Sequence, residues 1–78
     1  MTEFKYEIID ELGIVSQGNN GWKKEFNRVS WSGREPKYDI RDWTNNHEKM
    51  GRGVTLNKEE LMSLHKLIED EIKNLSNR

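Results

Sequence analysis

The chain has no cysteine, one proline and two histidines in 78 residues. Without thiols it can make neither disulfides nor thiolate metal sites. His47 and His65 alone leave little for nucleophilic or acid–base work. No Ser-His-Asp or Cys-His arrangement is recognisable, so neither an enzyme nor a cofactor is expected. His47 stands beside Glu48 with no second ligand at metal spacing, so no metal is expected, and both histidines read as surface or interface residues. Long apolar runs are missing too. Glu3, Lys5 and Glu7 interrupt the N-terminal apolar residues, which argues against a signal peptide and a membrane span. The expectation is a cytoplasmic protein. Hydrophobic residues are 32% against 35% charged. A chain this short reads as one domain, residues 1–78, that buries only about 60% of its unfolded surface. With no disulfide to help, oligomerisation is the expected staple.

What charge there is has been sorted along the chain. The formal net charge is -1. Yet Trp22 to Arg52 holds eight Lys/Arg (Lys23, Lys24, Arg28, Arg34, Lys37, Arg41, Lys49, Arg52) against five Asp/Glu, and contains all three tryptophans. A basic stretch with interleaved aromatics is a nucleic-acid footprint even in a neutral chain. The plain alternative is a chance excess of three charges.

Glu3 to Ser16 reads as a first strand, with Phe4, Tyr6 and Ile8 alternating and Gly13 marking a bend. Gln17-Gly18-Asn19-Asn20-Gly21 is a hairpin loop by composition. Trp22 to Trp31 is a second strand whose facing the pattern leaves open. If Val29 and Trp31 reach the core, Lys24 and Arg28 face solvent with Arg41. Ser32 to Pro36 is a turn, since proline cannot donate to a ladder. A third strand runs from Lys37 to Trp43, a polar loop from Thr44 to Gly51, and a short fourth strand from Arg52 to Leu56. Gly51 and Gly53 let the backbone at Arg52 approach a ligand closely. Met50-Gly51-Arg52-Gly53 lacks a Gly-Lys-Ser/Thr ending and is an ordinary turn, not a phosphate loop.

Asn57 opens the only helix as N-cap, with Glu60 completing a capping box. Leu61, Leu64, Leu67, Ile68, Ile72 and Leu75 follow helical spacing, with Met62 as filler and Glu69-Asp70-Glu71 as a solvated face. The stripe is larger than one small sheet requires, so part of it could pair with a second copy. The fold class is α+β: a curved four-stranded antiparallel sheet and one C-terminal helix, in the order β-β-β-β-α, with a dimer expected.

The third strand places Lys37, Asp39, Arg41 and Trp43 on one face and Tyr38 and Ile40 on the other. The expectation puts Tyr38 and Ile40 on the core and the charged, aromatic face in water. Arginine grips phosphate through a planar fork, and tryptophan stacks on any base. The candidate phosphate contacts are Lys24, Arg28, Lys37, Arg41, Lys49 and Arg52. The candidate stacking residues are Trp22, Phe26, Trp31 and Trp43. The competing view is a solvated strand face whose tryptophan packs on its neighbours. Single-stranded RNA is a near alternative. A protein-interaction module recruiting polymerase or repair proteins through exposed tryptophans is an alternative of a different class.

Tyr38-Asp39-Ile40-Arg41-Asp42-Trp43, followed by Gly51-Arg52-Gly53-Val54-Thr55-Leu56-Asn57 and a helix, resembles the positive cofactor four family of transcriptional coactivators. GWKKEFNRVSW and EPKYDIRDW are more similar to its small bacterial members, the YdbC-like proteins. The resemblance covers roughly Trp22 to Leu75. It implies a homodimer with helices at the interface (Leu61, Leu64, His65, Ile68, Ile72, Leu75) and curved sheets that bind single-stranded DNA with little sequence preference, nucleoid-associated. It also implies a role in transcription, replication or repair. By position, Arg41 matches the strand arginine that contacts DNA backbone, and Arg52 the basic residue between glycines. The turn at Ser32 to Pro36 and the loop at Thr44 to Gly51 are shorter than in eukaryotic members. Thr44 stands where the family has a tryptophan, so Trp22 or Trp31 would substitute in stacking.

Overall fold

The computed structural model describes residues 5–78. Glu3 and Phe4, the expected start of the first strand, lie outside the described residues. Four strands, β1 (Tyr6–Gln17), β2 (Trp22–Trp31), β3 (Lys37–Thr44) and β4 (Met50–Leu56), precede one helix, α1 (Lys58–Leu75). They form one antiparallel sheet in the order β1-β2-β3-β4. The fourth strand starts two residues earlier than its apolar pattern indicated, because Met50 pairs with Trp43. Asn20 and Gly21 both take left-handed backbone (φ 59° and 81°), the conformation a tight hairpin turn asks for. No described helix is long and apolar enough to cross a membrane.

The sheet is strongly coiled. Along β1 the pairing with β2 slips at three places, Ile8/Asp10, Glu11/Gly13 and Ile14/Ser16, where one bend at Gly13 was expected. Each irregularity bends a strand and raises its twist. Tyr6 pairs with Trp31 at one end of β2, whereas Trp43 pairs with Lys23 at the other. In a flat sheet those positions are about 26 Å apart. Here the Tyr6 ring lies 6.1 Å from Trp31 and 5.2 Å from Trp43, and its hydroxyl donates to the His47 carbonyl.

Coiling gives the sheet an inside. Glu25, Asn27, Val29 and Trp31 of β2 share that face with Asp39, Arg41 and Trp43 of β3. Val29, Asp39 and Trp43 are fully buried. This reverses the expected facing of β3: Asp39, Arg41 and Trp43 line the interior, and Tyr38 and Ile40 are on the outer side. Strand alternation separates two faces, but closure of the coil decides which one water reaches. Val29 and Trp31 do point inward, but with Arg41. Lys24 and Arg28 therefore lie on the face opposite Arg41, not beside it.

On the outer face the first turns of α1 approach Phe26, Val54 and Leu56, with Leu61, Met62, Leu64 and Leu67 on the helix side. The capping box forms as the sequence predicts. Asn57 Oδ1 accepts from the Glu60 amide at 2.8 Å, and Glu60 Oε1 accepts from the Asn57 amide at 2.9 Å. No residue of α1 is buried, and Met62, Leu67, Ile68, Ile72 and Leu75 are exposed.

Candidate nucleic-acid interface

Arg41 is held by its own strand. Its Nε donates to Asp39 Oδ2 at 2.6 Å and its Nη2 to Asp39 Oδ1 at 2.8 Å, a two-pronged grip on a carboxylate with no exposure. Thr55 Oγ1 donates to the same Oδ1 at 3.0 Å, so β3 and β4 are tied through one buried anion. The guanidinium also covers the Trp31 ring at 4.6 Å, a cation–π contact. Arg41 is 14% exposed. Most of its donor capacity is used inside the fold, and its guanidinium lies against the half-buried Trp31 ring.

The other cations are more accessible. Lys24 pairs with Asp42 at 3.2 Å and Arg28 with Asp10 at 2.7 Å. Surface pairs of this kind contribute about 0–1 kcal/mol, so a phosphate can replace either carboxylate at little cost. Lys37, Lys49 and Arg52 are exposed and form no ion pair among the described residues. Trp43 is fully buried under Tyr6 and against the edge of His47, which removes it from the candidate stacking set. Phe26 stacks on Tyr38 at 6.0 Å and faces the helix. Trp22 and Trp31 are half-buried and keep part of their surface in solvent. The sequence-derived set is thus divided. Trp31 and Arg41 meet on the inner face, while Trp22, Lys24, Phe26 and Arg28 occupy outer positions of β2.

One constellation had no signal in the sequence. His47 Nε2 lies 2.9 Å from Glu25 Oε1 and 3.2 Å from Glu25 Oε2, across 22 positions of chain. Glu11, from β1, completes a group whose ligand atoms all lie within 4.8 Å of one another. Glu48, the sequence neighbour of His47, is not part of it, and the expectation that His47 lacks ligand-type company is corrected. Only the curled sheet brings the three elements together. Burial of Glu25 would raise its pKa. The hydrogen bonds from Asn27 and His47, with the charges of His47 and Lys23, outweigh that and hold the carboxyl below its ordinary range. His47 itself sits in left-handed backbone (φ 59°).

A coiled four-stranded antiparallel sheet with a capped C-terminal helix and a basic, aromatic-bearing middle defines a small β-β-β-β-α protein. Residues 18–67 match the family described as Transcriptional Coactivator p15 (PC4). The chain belongs to that family, one of single-stranded-DNA-binding, coactivator-like proteins. It is also similar to an uncharacterized protein from Treponema pallidum (strain Nichols). The two are 44% identical over 66 residues, covering 85% of this chain and 78% of the relative.

Proposed function

We propose that this chain binds single-stranded DNA with little sequence preference, as a homodimer, in support of transcription, replication or repair. The observation that carries this reading is the family match across residues 18–67, which takes in β2 to β4, the segment where cations and tryptophans are concentrated. Lys37, Lys49 and Arg52 contact phosphates, Lys24 and Arg28 join by exchanging their carboxylate partners, and Trp22 and Trp31 supply stacking surface. Arg41 acts by holding Trp31. The second copy packs along α1 and Val54, where Ile68 and Ile72 are also exposed, and leaves Lys24 and Arg28 to the DNA.

The test is a tryptophan-fluorescence titration of the full chain with oligo-dT at two salt concentrations, with duplex DNA and matched RNA as competitors. Quenching by the single strand that weakens as salt rises, with poor competition by duplex, is the expected result. A Lys37→Ala, Arg52→Ala double variant should bind about tenfold more weakly and with a shallower salt slope. Full affinity in that variant would count against the assigned phosphate contacts. Absence of binding at low salt would overturn the reading. Equal or better competition by RNA would shift the ligand to RNA.

A further inference from the structure

We propose that Glu11, Glu25 and His47 form a binding site for one divalent transition-metal ion of the zinc type. The three side chains come from β1, β2 and the β3–β4 loop and border one open cavity of about 400 Å³. The 2.9 and 3.2 Å between His47 Nε2 and the Glu25 oxygens are already close to the roughly 3.0–3.4 Å that separates neighbouring ligands around an ion with bonds of about 2.1 Å. Glu11 is exposed and free to swing, so closing its 4.8 Å limit needs only side-chain motion. One imidazole with two carboxylates suits zinc, or its first-row neighbours, better than calcium, which takes six to eight oxygens.

A separate observation points to the same place. Asn27 is 1% exposed and borders this cavity. Its Nδ2 donates to Glu25 Oε1 at 3.0 Å, which fixes the amide orientation, because a carboxylate accepts only from the NH₂ side. Its Oδ1 is then a buried acceptor with no partner among the described residues. Buried acceptors are ordinarily satisfied, and this one, closed to solvent in the metal-free fold, reaches an ion in the cavity, or a water on that ion, by a modest shift of the Asn27 side chain. The surroundings support the ligands as outer residues of metal sites do. Asn27 orients Glu25, the Tyr6 hydroxyl holds the His47 carbonyl, and the Trp43 ring meets the imidazole edge-on at 5.6 Å. Lys23 also borders the cavity and opposes a cation, but two carboxylates outnumber it. A bound ion would fasten the loop that carries Lys49 onto the β1–β2 hairpin.

The experiment is isothermal titration of the full, metal-free chain with zinc chloride, repeated with calcium chloride, and with the Glu11→Gln, His47→Gln and His65→Ala variants. The expected result is one zinc per chain, little heat from calcium, and affinity weakened at least about tenfold in Glu11→Gln and His47→Gln but kept in His65→Ala. Circular dichroism checks each fold. Glu11 is exposed, so Glu11→Gln decides the matter should His47→Gln fail to fold. No zinc binding at about 100 µM, a smaller weakening in Glu11→Gln, or loss in His65→Ala overturns the site.

Discussion

Inside the coil of the sheet, Asp39, Asn27 and Glu25 are buried beside Val29 and Trp43; outside it, Val54 and the helix residues Met62, Ile68, Ile72 and Leu75 stand in solvent. The two sides of one small sheet differ in what makes their exposure tolerable. Inside, each ionised group has a partner: Asp39 takes Arg41 and Thr55, and Glu25 takes Asn27 and His47. Buried charge is tolerable on those terms. Outside, the apolar residues have no such answer among the described residues, and contiguous exposed apolar surface marks a place of association. The interior holds the shape of one copy, and Val54 with the exposed stripe of α1 is the surface on which the proposed second copy would pack.

Substitutions on the two sides should therefore fail differently. The largest expected effect is inside. Asp39→Ala leaves the Arg41 guanidinium with 14% exposure and no counter-charge, and should cost about 3–5 kcal/mol in chemical denaturation. A loss under about 1 kcal/mol would mean the pair is not what holds β3 to β4. Gly53→Ala comes next. A Cβ there would collide with Arg41 Cβ and the Ile40 carbonyl, so backbone must move, at about 1–3 kcal/mol measured as a lowered melting temperature.

Acid titration probes the other interior network with a smaller effect. The Glu25 pKa is lowered in the fold, so between its folded and ordinary values the unfolded chain binds more protons. Its contribution is present above the ordinary glutamate range and is lost as pH falls through the folded pKa. Melting temperatures of the parent below the ordinary glutamate range should fall more steeply than those of Glu25→Gln; identical acid profiles would remove Glu25 from the account. Within the chain itself Ile72→Glu should matter least, about 0.5 kcal/mol or below, because Ile72 is 59% exposed. Sedimentation should nonetheless show one chain for this variant and two for the parent. A parent that sediments as one chain breaks the contrast between the faces.

Local chemistry was readable in advance. Alternation marked β1 and β3, turn residues bounded β2 and β4, Gly and Asn marked the β1–β2 turn, and Asn57 with Glu60 marked where α1 begins, since each signal acts within a few residues of itself. The motif from Tyr38 to Asn57 carried the family. The ends of β3 and β4 moved by one and two residues because cross-strand pairing outlasts the apolar pattern at Thr44 and Met50.

Facing was a different matter. Asp39, Arg41 and Trp43 have the composition of a wet binding face, and by position alone nothing distinguishes them from one. The irregularities in β1 and the closure of Tyr6 onto Trp43 and His47 turned that face inward, and these are properties of three strands together. The meeting of Glu11, Glu25 and His47 has the same origin. By itself the sequence determined the order of elements, the turns, the cap and the family, because those depend on short-range periodicity and backbone preference. Which side of the sheet became core, and which distant carboxylates reached one imidazole, was decided only by the coil, because burial is a property of the closed surface and not of any one strand.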